Sequence, residues 1–438
     1  MDTSNSLGHL PAELLQLIFT FFIESYDPFA EIDAILLLSH VCSRWHAICD
    51  STPLLWTRPY FHRCKSPSLN HEIVSTILSR SGDLPVSVTI DMMSSPGHAP
   101  EAVLDYQPLF GAKDRLENLV LAVRRGDVVQ CAAKIPTFPL LASLDITMAD
   151  ESPAELQLLG DIFLSSCPSL RAFSLTVRHA VIPPRIPALP FHQLTSLTLL
   201  CRVQDVTLYD ILIQCPLLEE CRVEEVEETG ELPQGPVHIM PALRSLDYTA
   251  ADECLGDIFR RLRLPFLDSL ALSSLPPGRT ISWNPVPIIL DLHAGAPFQL
   301  LHLRINGLDI TSEELLPLLR CVAPTLQTLV VVDMPHVLPS FAAADLTLPR
   351  LATLEIRCHS DQVDEAQLVQ LVDSFRERLG ESNTLFPALR LVELQMDGPL
   401  FDEAAEEETY GIFRDVEDWS EGVEGEEIDE WVIVLPSL

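Results

Sequence analysis

One motif recurs along this chain, and its recurrence limits the possible folds more than any other feature. The motif is LxxLxL with conservative replacements. It starts at Leu116, Leu141, Leu170, Leu194, Leu218, Leu243, Leu267, Leu300, Leu326, Leu351 and Leu389. Successive starts lie 24 to 38 residues apart. Most starts have a proline two residues upstream: Pro139, Pro168, Pro216, Pro241, Pro265, Pro324, Pro349 and Pro387. A period in this range marks stacked supersecondary units, each too small to bury its apolar face alone. Alternating apolar residues within each motif describe a strand with one face buried.

Helical patterns fill the intervals. They fall at 155–166, 208–214, 253–263, 313–322 and 364–379. The Cys-Pro of SSCPSL and IQCPLL reads as a helix stop with a buried cysteine, since proline cannot continue a helix. From Leu275 to Leu300 the chain turns proline-rich (PPGRTISWNPVP), and that unit reads as irregular. Upstream, 69–80 reads as a helix ended by Gly82, and Val86, Val88 and Ile90 alternate as the first strand. Motif and period resemble the leucine-rich repeat. The resemblance implies an α/β solenoid of about eleven to twelve units, with parallel strands on the concave side and helices or turns on the convex side.

Charge narrows the partners. The 438 residues carry a formal net charge of -35, with 63 acidic against 28 basic side chains. Phosphate backbones and anionic membranes both require a positive surface, so neither nucleic acid nor membrane is an expected partner. The eleven cysteines form no CxxC pair, and no signal-peptide pattern opens the chain. Free thiols in a reducing compartment follow, cytoplasmic or nuclear. From Asp402 to Glu430 there are fourteen acidic residues and one arginine, a composition that favours disorder. The apolar WVIVLP after it could dock as a cap.

The N-terminal sixty residues differ from the repeats. Leu10, Leu14, Leu15, Ile18, Phe19 and Phe22 follow helical spacing, with Pro11 in the tolerant first turn. A second apolar stretch, 35–49, places Leu38, Val41, Cys42, Trp45, Ile48 and Cys49 on one face. Pro53 stops it, and Leu54, Leu55 and Trp56 follow. So small a bundle has little core of its own, and its helices are apolar on more than one face. It is either a cap packed on the rest of the chain or a docking module. His40, Cys42, His46 and Cys49 lie within ten residues, but they lack the two short pairs of a structural zinc site. They read as core thiols and surface histidines, with no metal and no cofactor.

The series Leu10-Pro11-x-Glu13-Leu14-Leu15-x-x-Ile18-Phe19, Val41-Cys42-x-x-Trp45 and Pro53-x-Leu55-Trp56 resembles the F-box. Together with the repeats, the arrangement is similar to the F-box-like proteins of mushroom-forming fungi. The resemblance implies docking on the Skp-family adaptor of cullin–RING ubiquitin ligases. It assigns the docking to Leu10, Pro11, Leu14, Leu15, Ile18, Val41, Cys42, Trp45 and Trp56. The expected organisation is a disordered 1–6, an F-box at 7–58, a linking helix at 59–85, a solenoid at 86–400 and an acidic tail at 401–438.

The residues between the repeat leucines are expected to face the concave side. They include Asn118, Ser143, Asp145, Ser174, Thr176, Ser196, Thr198, Asp247, Ser269, His302 and Glu355. Arg178, Arg202, Arg222, Arg304 and Arg357 are candidates for gripping an acidic or phosphorylated target, because guanidinium binds carboxylate and phosphate in two places. The plainer alternative is solvated arginines with local acidic neighbours such as Glu220 and Glu224. No phosphate loop, GxSxG or HExxH is present, so the chain is not expected to be an enzyme. The expected function is the substrate receptor of a Skp–cullin–F-box ligase. The alternative is a non-degradative scaffold with an F-box-like cap.

Overall fold

The apolar spacing of the first fifty residues folds into three helices in the computed structural model: α1 (Ala12–Glu24), α2 (Glu31–Ser39) and α3 (Ser43–Asp50). A 3₁₀ turn, Pro53–Trp56, closes them. The structure describes residues 10–26, 31–62, 67–91, 93, 111–123, 137–148, 167–181, 190–227, 236–251, 257–275, 284–334, 337, 346–359, 391–397 and 430–436. The expected helices at 155–166 and 364–379 lie outside them. The chain divides into two compact units, Met1–Arg202 and Val203–Leu438.

In the first unit, β1 (Tyr60–His62) follows the 3₁₀ turn, and α4 (Pro67–Arg80) leads to β2 (Val86–Asp91). Next come β3 (Leu116–Val123), β4 (Ser143–Met148), β5 (Ala172–Val181) and β6 (Ser196–Gln204). Every neighbouring pair from β1 to β6 is parallel. The strand at Tyr60–His62 precedes the one at Val86 that the sequence marks as first. Three residues are too few to show alternation.

The linking helix ends as its sequence demands. Gly82 takes a left-handed φ of 59°, which only glycine adopts without strain. The Arg115 guanidinium donates to the Leu78 carbonyl at 3.0 Å, one of the carbonyls left open at the helix end, and to the Leu84 carbonyl at 2.9 Å just before β2.

The second unit begins with α5 (Asp205–Leu212) and continues through β7 (Glu220–Glu227), β8 (His238–Ile239) and β9 (Ser245–Ala251). Then follow α6 (Asp257–Arg260), β10 (Leu262–Arg263), β11 (Ser269–Leu275), α7 (Val286–Gly295) and β12 (His302–Asn306). The last elements are α8 (Ser312–Val322), β13 (Thr328–Val332), β14 (Thr353–His359), β15 (Leu391–Asp397) and β16 (Glu430–Pro436). Strands β7, β9, β11, β12, β13, β14 and β15 pair in that order, all parallel. The helices α5, α6, α7 and α8 pack each on the next. The architecture is therefore N-terminal helices followed by mostly parallel strands of α/β character.

Register shows why the motif recurs. Leu119, Leu144, Phe173 and Leu197 are partners on adjacent strands of the first unit. Cys221, Leu246, Leu270, Leu303, Leu329 and Leu354 are partners in the second. All are buried. Stacking like side chains at the strand spacing fills the core layer by layer. The first leucine of each motif, from Leu116 to Leu351, is also buried.

The upstream prolines sit in tight turns; the helix expected before Cys167-Pro168 lies outside the described residues. In Phe138-Pro139-x-Leu141, Cys167-Pro168-x-Leu170, Cys215-Pro216-x-Leu218, Leu264-Pro265-x-Leu267 and Leu348-Pro349-x-Leu351, the first carbonyl accepts from the leucine N–H three residues on. Proline's fixed φ suits the second position of such a turn. Helix α5 ends at Leu212, ahead of Cys215. The turn folds the chain into each strand and buries the residue before the proline.

Three further expectations change. The apolar stretch 35–49 is two helices, because Cys42, at the position before α3, is extended (φ −162°). Of the 253–263 pattern, 253–256 lie outside the described residues; Asp257–Arg260 form α6, and Leu262 and Arg263 pair with His238 and Ile239 in a small parallel ribbon. The proline-rich interval contains α7, with prolines confined to its start, where they are tolerated.

The C-terminal WVIVLP lies in β16, which pairs antiparallel with β15 from Leu391↔Pro436 to Asp397↔Glu430. It covers the edge that β15 would otherwise leave open, and an open edge templates pairing with another chain. Deleting 430–436 should therefore cause concentration-dependent self-association in size exclusion with light scattering. A truncated chain that stays monomeric at every concentration would show that β16 does not guard that edge.

Candidate functional site

Helix α1 carries two apolar stripes. Leu15, Phe19 and Ile23, four residues apart, are buried. Leu14, Leu17, Ile18 and Phe21, at three- and four-residue steps, lie on the other side and are exposed. One helix thus has one apolar face for its own core and another for water or a partner. Neighbouring elements add exposed apolar side chains: Leu36 and Leu37 on α2, Val41 in the α2–α3 turn and Leu54 in the 3₁₀ turn. Exposure reaches 63% at Phe21 and 57% at Leu37 and Val41. Exposed apolar groups concentrated in one small region mark an interaction site.

The buried side explains why the exposed one stays outside. Leu15, Phe19, Ala34, Ile35, Leu38, Ile48, Cys49, Leu55 and Trp56 fill the helical core. The Trp45 ring, half-buried, lies 4.8 Å from Phe19. The Trp56 indole N–H donates to the Cys49 carbonyl at 2.8 Å. Arg80 of α4 sits 4.5 Å over the Trp56 ring and pairs with Asp50 at 3.0 Å. The core is thereby closed by a tilted aromatic pair, a buried hydrogen bond and a cation over an indole. Arg44 of α3 donates to the Leu10 carbonyl and fixes the approach to α1.

Of the nine residues that the F-box resemblance assigns to docking, Pro11, Leu14, Ile18, Val41 and Cys42 are exposed, and Leu10 and Trp45 are half-buried. Leu15 and Trp56, at 0% and 2% exposure, are interior. In the free chain both pack in the helical core. Leu17, Phe21, Leu36, Leu37 and Leu54 are also exposed and lie outside the nine. Helical spacing from Leu14 finds Leu17 and Phe21. No periodicity finds Leu54.

The His/Cys group disperses. Cys49 is in the core, where burial first and Asp50 second push its thiol up to about 11. Cys42 is exposed, and His46 lies 3.2 Å from Asp50. Among the described residues, no three metal-ligating side chains converge.

The five arginines are not equivalent. The Arg178 side chain lies outside the described residues. Arg202 is exposed on β6. Arg222 pairs with Glu224 at 2.9 Å and with Asp247 at 3.4 Å. Burial raises the Asp247 pKa, and Arg222 opposes the shift. Arg357 is bound by Glu355 on its own strand. Arg304 is exposed on β12. For Arg222 and Arg357 the plainer alternative, local acidic neighbours, describes what is present.

Comparison with known families gives a match to the F-box-like family over residues 7–62. The match spans α1 to α3, the 3₁₀ turn and β1, and so contains both apolar stripes. No curated protein matches the chain. Among the described residues, no helix is long and apolar enough to cross a membrane.

Proposed function

We propose that this chain is the substrate-recognition subunit of a Skp–cullin–F-box ubiquitin ligase. The exposed stripe of α1, with Pro11, Val41 and Cys42, docks on a Skp-family adaptor, which links the chain to cullin and RING subunits. The repeats form a leucine-rich-repeat solenoid whose outward strand face holds a target protein in the cytoplasm or nucleus. The chain itself is non-catalytic and needs no cofactor. Ubiquitin transfer to the target is promoted by holding it near the transferring subunits, which is catalysis by proximity.

One observation carries this reading: α1 keeps a second apolar stripe exposed within the residues that match the F-box-like family. F-box-like domains mediate protein–protein interaction and are typical of non-catalytic subunits. The test is direct. The full chain mixed with purified adaptor should co-elute as a one-to-one complex in size exclusion. Separate elution at micromolar concentrations would sink the reading. Co-elution without any change in abundance of captured proteins on proteasome inhibition would favour the non-degradative scaffold.

A further inference from the structure

We propose that β12 carries an oxyanion-binding strip whose ligand is an extended protein segment with carboxylates at alternate positions. The inference rests on reading the outward strand face as target-binding, and it adds the ligand's chemistry and the residues that read it.

Strand β12 alternates strictly. Leu303 and Ile305 are buried, whereas His302, Arg304 and Asn306 lie on the other face. All three carry N–H donors, and a neutral imidazole still has one. Their register neighbours are small, apolar or hydroxylic: Ser269 and Thr328 beside His302, Ala271 and Val330 beside Arg304, Ser273 and Val332 beside Asn306. No acidic side chain sits next to the strip. The nearest carboxylates in the Arg304 row are Asp247 and Glu355, each two strands away, or roughly 10 Å at the usual strand spacing. Each is already held by another arginine, Asp247 by Arg222 and Glu355 by Arg357. Among the described residues, His302, Arg304 and Asn306 make no side-chain hydrogen bond or ion pair. Arg304 acts on Asp247 through space, opposing the rise in its pKa, but among the described residues it forms no ion pair with it. In a chain of net charge -35, three adjacent donors with no bonded carboxylate are a specific feature.

Geometry selects the ligand. Alternate residues on a strand repeat at about 6.6 Å, in the strip as in any extended segment lying along it. Carboxylates at positions i and i+2 of such a segment meet Arg304 and one of its two neighbours together. The guanidinium fork takes one carboxylate through two parallel bonds. Exposed charge pairs are individually weak, so matched spacing is what gives selectivity. A phosphorylated side chain offers the same oxygens, and the experiment separates the two sources.

Three fluorescent nonapeptides test the strip on the full chain by anisotropy. They have serine at the intervening positions and Glu, Gln or phosphoserine at alternate ones. The Glu peptide should bind at least about tenfold more tightly than the Gln peptide, the difference expected from losing a charge-assisted bond. Arg304→Ala should weaken the Glu peptide about tenfold, and Arg244→Ala, which removes an ion pair to Asp268, should leave it within about twofold. Equal binding of Glu and Gln peptides, or an Arg304→Ala protein that binds like wild type, would overturn the strip. Phosphoserine binding tenfold above Glu would overturn the carboxylate assignment in favour of phosphate. If deleting 402–429 raised Glu-peptide affinity more than tenfold, the ligand would be the chain's own acidic stretch, overturning the partner assignment. Adaptor co-elution is measured on the same Arg304→Ala protein. Intact co-elution with no peptide binding by wild type refutes the strip alone, and absent co-elution refutes the ligase reading alone.

Discussion

Changing Leu14 and Ile18 together to aspartate should abolish adaptor capture, lowering affinity at least about a hundredfold, or roughly 3 kcal/mol. The two residues lie four apart on one side of α1 and are 48% and 43% exposed. In the free chain a carboxylate there stays in water, so the helix tolerates it. In a complex each carboxylate would enter an apolar contact without a partner, which costs about 1–3 kcal/mol per polar group in proteins and more for a charge. The double change should leave far-UV circular dichroism unaltered and the melting temperature within a few degrees. Leu15, one position away and buried, defines the contrast, since aspartate there would unfold the core. Undiminished capture by a folded Leu14→Asp, Ile18→Asp protein would place docking elsewhere. The adaptor is the probe, so the result does not depend on knowing the target.

Periodicity located the repeat because its physics is local and repeated. An LxxLxL segment buries every other residue wherever it occurs, and β3 with β4, and β9, β11, β12, β13 and β14 in series, realise this with leucine on leucine in register. The helices at 313–322 and 69–80 were legible for similar reasons. Thr311 and Glu314 form a capping box at the start of α8, and Gly82 ends α4. What escaped was set by tertiary pairing. Tyr60–His62 becomes a strand because β2 lies beside it, and Leu262–Arg263 because His238–Ile239 does. Neither segment is long enough to show a period. The break at Cys42 escaped because Val41 and Cys42 keep apolar spacing while facing outward. The same limit applies to the docking residues. Apolar spacing identifies a helix that buries something, but it does not say which of two apolar stripes faces the core. Leu15 and Leu14 are equally apolar, and only packing against α2, α3 and the 3₁₀ turn separates them.

The arginines repeat this lesson for charge. Sequence places five guanidinium groups at or beside outward strand positions. Whether one is available depends on neighbours brought by register, not by sequence. Arg222 meets Asp247 across the β7–β9 pair. Arg304 meets Ala271 and Val330 at the same level. Availability is therefore a property of the sheet, and it is why one arginine carries a proposal while Arg222 and Arg357 do not.

Trp56 provides the second large effect, and its test separates a core residue from a docking residue. Trp56→Ala should cost about 3–5 kcal/mol, the usual range for emptying a large aromatic site in a core. The ring is 2% exposed, its N–H is bonded to Cys49, and Arg80 stacks on it. Removing it leaves a cavity, a Cys49 carbonyl that keeps only the longer bond from the Thr52 N–H, and an Arg80 that keeps its pair with Asp50. Hydrogen exchange should show loss of protection across α1 and α3, and adaptor capture should fall with the folded fraction. Trp56→Phe isolates the cause. It retains most of the apolar volume and loses the hydrogen bond, worth about 1 kcal/mol in a typical case. That protein should melt a few degrees lower yet capture the adaptor with affinity within about threefold of wild type. The opposite pattern, unchanged melting with capture reduced tenfold or more, would make Trp56 a contact residue and would require the core around it to open on binding.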